Sequence, residues 1–562
     1  MFAQISPLDQ IGEFNPQLFR EIKGRINLRN VVITATLSIV GQVLLWLSFK
    51  GKLPLIEGVN NRYCTGEAYE NSYYVPSCIA DLNGNVMIIK ELWWLDVFTT
   101  MSVIGIFILL VAGSYMLVTD IAKEENKGTF NFIRLSPQSA TNIFLGKILG
   151  VPILIYLFGF LAIPLHLWAG LSAKISFPLI IGFYLVLATA CAFFYSVSSV
   201  LSLTTGGWGS FQAPVIGTFI LFFLLSIMGI TLQVNAPVYT ETSFDWFLLF
   251  YPGTFLAYAV ESTFLASQTV GSLNADALMN LRWYGAGLWH HAFSGGVFMM
   301  VNYLVWTFWL WQGLKRRFHN PLATIISKKQ SYGISATFAI INVGFALQNV
   351  SEYHTFFHSL ITVQGFNLIL FLLLIPCLMP SRQALVDWAR FRHQNSGENR
   401  HLFKDLGLGE KSPPLLAIII NLAIVNLYLL PSVFTFGDDI FSILFGLVAG
   451  IMVILFYASL AQTMMLLKTD KRALLATGAV MLMMATPVVG IVLWRDISWL
   501  RESFVFLSGL PIVVTPAMST SLMMMTLLGE TLGIVAVNLQ TVKTLNKAGM
   551  SVTKRLMMAE TE

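Results

Sequence analysis

Charge is scarce in this sequence. Only 11% of its 562 residues are Asp, Glu, Lys or Arg, against about 25% in a soluble domain. That shortage, with 56% hydrophobic residues and a mean hydropathy of +0.71, excludes an ordinary soluble domain. Cysteine is rare as well. Cys64, Cys78, Cys191 and Cys377 make no close CxxC pair, so no cysteine metal motif is present, and no metal site is expected. His354 and His358 sit four apart but lack a third ligand, and His290-His291 reads as an interfacial pair. A phosphate-binding loop is missing. The nearest string, Gly407 to Ser412, has no Gly before Lys411 and the wrong spacing. The first thirty residues have no early apolar core, so they do not read as a secretory signal. The net charge of +5 calls for no nucleic acid partner.

Long apolar runs are what the chain does have. They predict an all-α polytopic membrane protein of about twelve spans, each near twenty residues. Residues 1–30 read as an interfacial helix, with Leu18, Phe19, Ile22 and Ile26 on one face and Arg20, Lys23, Arg25 and Arg29 on the other. Asn15-Pro16 opens it and Glu21 lies within it. Residues 31–312 form a first six-span unit, 313–332 a basic linker, 333–541 a second six-span unit and 542–562 a tail. The two halves match in layout more than in identity. Asn320-Pro321 echoes Asn15-Pro16, and the polar run 380–412 falls where 120–147 falls in the first half. Apolar pieces broken by proline, FYPGTF at 250–255 and 504–516, precede the sixth and twelfth spans. They predict short re-entrant helices with the break facing protein or water. Lys and Arg concentrate in alternate loops, which puts both termini in the cytoplasm. Cys64 and Cys78 then lie outside, where a structural disulfide is expected.

The run Asp120 to Lys147, DIAKEENKGTFNFIRLSPQSATNIFLGK, is too charged to lie in lipid. It holds Glu124 and Glu125, Gly128-Thr129, an amphipathic turn with Phe130, Phe132, Ile133, Arg134 and Leu135, then Ser136-Pro137 and Gly146-Lys147. Pro137 is expected to stop one helix, and Ser136 or Ser139 to cap the next. The turn is expected to lie flat at the membrane surface, apolar side to lipid and polar side to a partner.

That order and spacing resembles the loop between the second and third spans of type-two ABC exporter permeases. The pattern there is acid-x-acid-x-Gly-Thr, then Ser/Thr-Pro, then Gly-Lys. Here Asn126 stands at the second acid, with Glu125 beside it. The resemblance implies a coupling helix that docks on a separate ATPase subunit through Glu124, Glu125, Gly128, Thr129, Arg134, Ser136, Pro137, Gly146 and Lys147. It also implies that the helix with Asn15, Pro16, Arg20 and Glu21 touches that subunit. ATP-Mg would sit on the ATPase, this chain would bind no cofactor and be no enzyme itself, and the location would be the plasma (inner) membrane. Membrane lipid is a further partner, and a homodimer stays open. The run at 380–412 has Arg382, Asp387, Trp388, Arg390 and Arg392 but no Glu-x-x-x-Gly-Thr, so its coupling role is weak. Sparse charge in the spans favours export of a lipid-like, glycan or hydrophobic substrate. The rival reading is a proton-coupled secondary transporter using Glu530 in the last span. A membrane enzyme or scaffold is the third.

Overall fold

The structure is a computed structural model that describes residues 12–70, 73–231, 241–265, 278–349, 353–394, 402–436 and 439–550. The described residues are 78% helical, with 21 helices and one two-stranded sheet among them, and the chain is a polytopic all-α membrane protein. Eleven helices among the described residues are long and apolar enough to cross a membrane. Two compact units divide the chain. The first is residues 1–239, 247–281 and 287–318, and the second is 240–246, 282–286 and 319–562.

The first unit begins with α1 (Pro16–Arg25) and α2 (Leu28–Lys50). Strands β1 (Gly66–Glu70) and β2 (Tyr73–Ser77) pair antiparallel in the loop that follows, with Gly66 opposite Ser77. Cys64 and Cys78 are disulfide-bonded beside them. The next candidate span, Lys90–Asn126, consists of α3 (Lys90–Phe107), a π-helical turn at Ile108–Ala112, and α4 (Gly113–Asn126). Then come α5 (Thr129–Arg134), α6 (Ala140–Gly150), α7 (Ile153–Ser172), α8 (Phe177–Thr204) and α9 (Gln212–Thr231). Two short helices precede the long α12 (Ala292–His319): α10 (Asp245–Leu248), whose first two residues count with the second unit, and α11 (Leu256–Glu261).

The second unit holds α13 (Lys328–Ala346), α14 (Tyr353–Leu378), α15 (Arg382–Gln394), α16 (Leu402–Leu408) and α17 (Leu415–Phe436). It ends with α18 (Ile440–Met465), α19 (Arg472–Leu493), α20 (Ser498–Phe506) and α21 (Thr520–Gly549). Eleven candidate spans among the described residues stand against an expectation of about twelve. The span expected at 333–349 falls in α13, which is not among the eleven. Ser331 and Ser335 on α13 are buried and bond Asn421 of α17, whose side-chain carbonyl accepts from Ser335 at 2.8 Å and whose amide donates to Ser331 at 2.9 Å.

The proline-broken pieces fold as short helices around 3-10 turns at Pro252–Phe255 and Pro511–Val513. Their loose backbone groups find partners. Thr254 donates to the Leu248 carbonyl at 2.9 Å, and Ile512 N–H donates to the Gln364 side chain at 3.1 Å. In each unit a glycine makes room for that turn. A Cβ on Gly182 of α8 would lie 2.9 Å from Phe255, and one on Gly446 of α18 would lie 2.8 Å from Ile512.

Candidate functional site

The run 120–147 folds as its residues dictate. Helix α4 ends at Asn126, and Gly128, at φ +72°, takes the left-handed conformation that stops a helix at little steric cost only in glycine. Thr129 then donates to the Glu124 carbonyl at 3.1 Å, which satisfies one of the acceptors orphaned at the helix end. Ser136 donates to the Ile133 carbonyl at 2.7 Å and so closes α5. Ser139 is the cap of α6, accepting from Asn142 N–H at 3.2 Å. Pro137 is exposed between them.

Helix α5 departs from the flat amphipathic turn expected. It is six residues long, and its apolar residues part company. Phe130 is buried against Phe144 of α6 and Phe318 of α12, with ring centroids 6.5 and 5.6 Å away. Protein, not lipid, covers that side. Phe132 and Leu135 are 77% and 84% exposed. Arg134 lies over the Phe130 ring at 4.9 Å and donates to Asn131 at 3.0 Å. Burial pulls its guanidinium below the ordinary arginine value, and Glu125 opposes that shift. Glu125 is in electrostatic reach of both Arg134 and Arg317.

A buried ionic cluster joins three helices at the base of this loop. Lys147 of α6 is fully buried, and its ammonium lies 2.6 Å from Asp120, 2.7 Å from Glu124 and 3.5 Å from Glu21. Asp120 and Glu124 share one face of α4 because they are four residues apart. Glu21 comes from α1, where Gln17 donates to it at 2.6 Å. Arg20 pairs with Glu21 at 3.1 Å and with Glu124, and Arg25 pairs with Glu21 and Asp120. Burial alone would lower the Lys147 pKa, but Asp120, Glu21 and Glu124 outweigh it and hold it above the ordinary lysine value. Arg20 is likewise held above the ordinary arginine value: burial works against the shift, and Glu124 and Glu21 overcome it.

Helix α1 docks here because α6 presents no side chain in its way. A Cβ on Gly146 would meet Leu18 N at 2.7 Å, and one on Gly150 would meet the Glu21 Cβ at 2.5 Å. Asn15 caps α1 by accepting from Leu18 N–H at 3.0 Å, and its amide donates to the Asn142 carbonyl of α6 at 2.8 Å. Pro16 takes the first helical position, where no N–H is needed.

Oxygens of Glu21, Asp120 and Glu124 lie within 4.8 Å of one another, the spacing of a metal-binding set. The Lys147 ammonium already sits among them, and Arg20 and Arg25 balance the remaining two charges, so the carboxylates offer no spare charge to a metal ion.

Of the residues singled out in sequence, the structure brings Glu124, Lys147, Arg20, Glu21, Asn15 and Gly146 together. Glu125, Arg134, Gly128, Thr129, Ser136 and Pro137 shape the neighbouring loop. The importance of Asp120, Arg25 and Gly150 was not assigned in sequence. The signals were their four-residue spacings, to Glu124, Glu21 and Gly146 respectively.

The second unit has a different lysine at its base. Lys328 is buried at the start of α13 and donates to the Leu406 carbonyl at 2.6 Å, Ser412 Oγ at 2.7 Å and the Pro413 carbonyl at 3.0 Å. Those three acceptors fill its three donors. Burial lowers its pKa to about 8, with Asp405 opposing. Ser412, in the string dismissed as a phosphate loop, is thus committed to Lys328. Trp388 of α15 donates to Asp405 at 2.5 Å, and Arg382 donates to the Leu466 carbonyl at 3.0 Å, so this run is bound inward. Lys328→Met is expected to cost the second unit about 1–3 kcal/mol, because three buried acceptors lose their donor. Thermal unfolding of the purified protein in detergent measures it, and an unchanged midpoint would contradict the assignment.

Glu530 of α21 is buried, and neither carboxyl oxygen has a hydrogen-bond partner among the described residues. Its neighbourhood includes Tyr457 of α18, and further along the same two helices Asn538 donates to Ser459 at 2.9 Å. No family model, no curated protein and no solved structure matches this chain.

Proposed function

We propose that this chain is the membrane-spanning permease of an ATP-driven ABC exporter, moving a lipid-like, glycan or hydrophobic substrate while a separate cytosolic subunit hydrolyses ATP. The observation that carries this reading is the Lys147 cluster. It ties α1, α4 and α6 into one block directly beneath a short exposed helix. Helix α4 belongs to the candidate span Lys90–Asn126, and α6 leads through Val151-Pro152 into the span Ile153–Ser172. A push on α5 would therefore displace two spans together rather than deform a loop, as coupling requires. Exposed Phe132 and Leu135 are the apolar anchors that a partner groove would take. In this reading the loop and both termini are cytoplasmic, ATP-Mg is bound by the partner, and the membrane is the plasma (inner) membrane.

Glu124 is a poor probe of docking, because substituting it also breaks the ionic cluster. Phe132→Ser and Leu135→Ser test docking alone. A P-loop ATPase that hydrolyses ATP is expected to co-purify with the parent protein from its native membrane, and to be lost with the doubly substituted protein at unchanged thermal stability. Retention of the ATPase by that variant would refute docking through α5. Absence of any ATPase, with proton-dependent transport abolished by Glu530→Gln, would replace the exporter reading by the proton-coupled one. The unpartnered, buried Glu530 carboxyl is the feature that favours that rival.

A further inference from the structure

The first unit holds a half-open cavity of about 830 Å³, bounded by α2, α3 with its π-helical turn, α6, α7 and α8. Its size is that of a small-molecule site. Among the described residues no Asp, Glu, Lys or Arg lines it. Three helices keep it open with glycine. A Cβ on Gly41 or Gly105 would meet nothing within 4 Å, and one on Gly159 would meet only Leu109, at 3.9 Å. Glycine inside a helix costs about 0.5–1 kcal/mol relative to alanine, so three of them on one empty space is an arrangement with a cost.

The wall also carries a built polar feature. Ser102 Oγ donates to the Phe98 carbonyl at 2.8 Å, so it accepts from Nε2–H of the buried His166, also at 2.8 Å. The ring's Nδ1 accepts from the Tyr184 hydroxyl at 2.8 Å, which leaves the Tyr184 oxygen as an acceptor on the cavity wall. Also on the wall, within the π-helical turn, the Leu109 carbonyl accepts from Tyr195 at 2.7 Å.

One helical turn away on α2 and α3, a second cavity of about 580 Å³ is lined by Phe49, Lys52, Arg62, Tyr63 and Asp96. Arg62 pairs with Asp96 at 3.2 Å and Tyr63 donates to it at 2.8 Å, while the Lys52 ammonium sits 4.4 Å from the Phe49 ring centre. Two cations face one carboxylate, so this second cavity carries net positive charge. From Phe49 down to Ser38 the helix descends about 16 Å, close to one leaflet's share of a hydrocarbon core about 30 Å thick.

We propose that the first unit binds one anionic phospholipid, with its phosphate at Lys52 and Arg62 and one acyl chain in the cavity beside His166. Charge complementarity selects the head group, and the uncharged, leaflet-deep cavity selects the chain. This site does not depend on an ATPase partner, so its test stands apart from the exporter reading.

The protein is reconstituted in nanodiscs of phosphatidylcholine doped with either phosphatidylglycerol or phosphatidylcholine bearing a photoactivatable group on the acyl chain. After irradiation, labelled peptides are mapped by mass spectrometry. Labelling is expected in 101–109 and 158–166, about tenfold stronger with the anionic lipid. Gly105→Leu and Gly159→Leu, on separate helices, are each expected to remove that labelling by filling the cavity. Lys52→Ala with Arg62→Ala is expected to remove the preference for the anionic head group while labelling by both lipids persists. Equal labelling of the parent and both glycine variants, or labels confined to lipid-facing residues such as Leu37 and Leu44, would overturn the proposal. So would equal labelling of the parent by the two lipids.

Discussion

Replacing Lys147 with methionine is expected to lower the stability of the first unit by about 3–5 kcal/mol, the cost of leaving a buried ionic group without its partner. Its ammonium is wholly inaccessible to solvent and is shared by Asp120, Glu124 and Glu21. Methionine fills much of the same volume but leaves three carboxylates facing two arginines. Asp120→Asn is expected to cost less, because it removes one negative charge while Glu124 and Glu21 still face Lys147. Combining Lys147→Met with Asp120→Asn restores the charge balance, two carboxylates against two arginines, and part of the lost stability is expected to return. Thermal unfolding in detergent, followed by tryptophan fluorescence, reads all three. If the double variant is as unstable as the sum of the singles, the two residues do not interact as described.

The spans were legible because an apolar run of about twenty residues has few other fates. The turn chemistry of the 120–147 run was equally legible: Gly128, Ser136, Pro137 and Ser139 each have a local reason for their place. What the sequence hid is long-range. Asp120 and Arg25 are 95 residues apart, and only the folded chain makes them partners. In sequence Lys147 reads as a positive flank of a span, whereas in the structure it is the buried centre of a cluster. Gln17 and Glu21 are polar and yet buried, because α1 turns them toward α6 and not toward water. An amphipathic reading that assigns Leu18 and Ile22 to the inner face and charge to the outer face has no term for that. Helix α13 hides a polar side in the same way: Ser331, Ser335 and Asn342 face its buried side. The π-helical turn at Ile108–Ala112 has no signature in a run of ILLVA.

Gly146→Leu is expected to be nearly as damaging as Lys147→Met, by a different route. A leucine here would place its Cβ 2.7 Å from the backbone nitrogen of Leu18 and 2.9 Å from Gln17 Cβ, and backbone cannot rotate away as a side chain can. Overpacking of a tight contact costs about 1–3 kcal/mol when the neighbours yield, and here yielding means that α1 lifts from α6. Glu21 would leave with it, since it sits on the same helix face, one turn from Gln17. Lys147 would then lose one of its three carboxylates, and Asp120 and Glu124 would lose Arg25 and Arg20. The packing loss and the electrostatic loss arrive together, and the contrast with Gly128 isolates them. Gly128→Leu strains one loop residue at φ +72° but a Cβ there meets nothing within 4 Å, so α1 stays docked. A cysteine at Gln17, buried in the parent, is expected to become reactive to a water-soluble maleimide in Gly146→Leu and to stay protected in Gly128→Leu. Protection in both would mean that α6 accommodates the leucine without releasing α1, and the block beneath the exposed helix would then rest on the ion pairs alone.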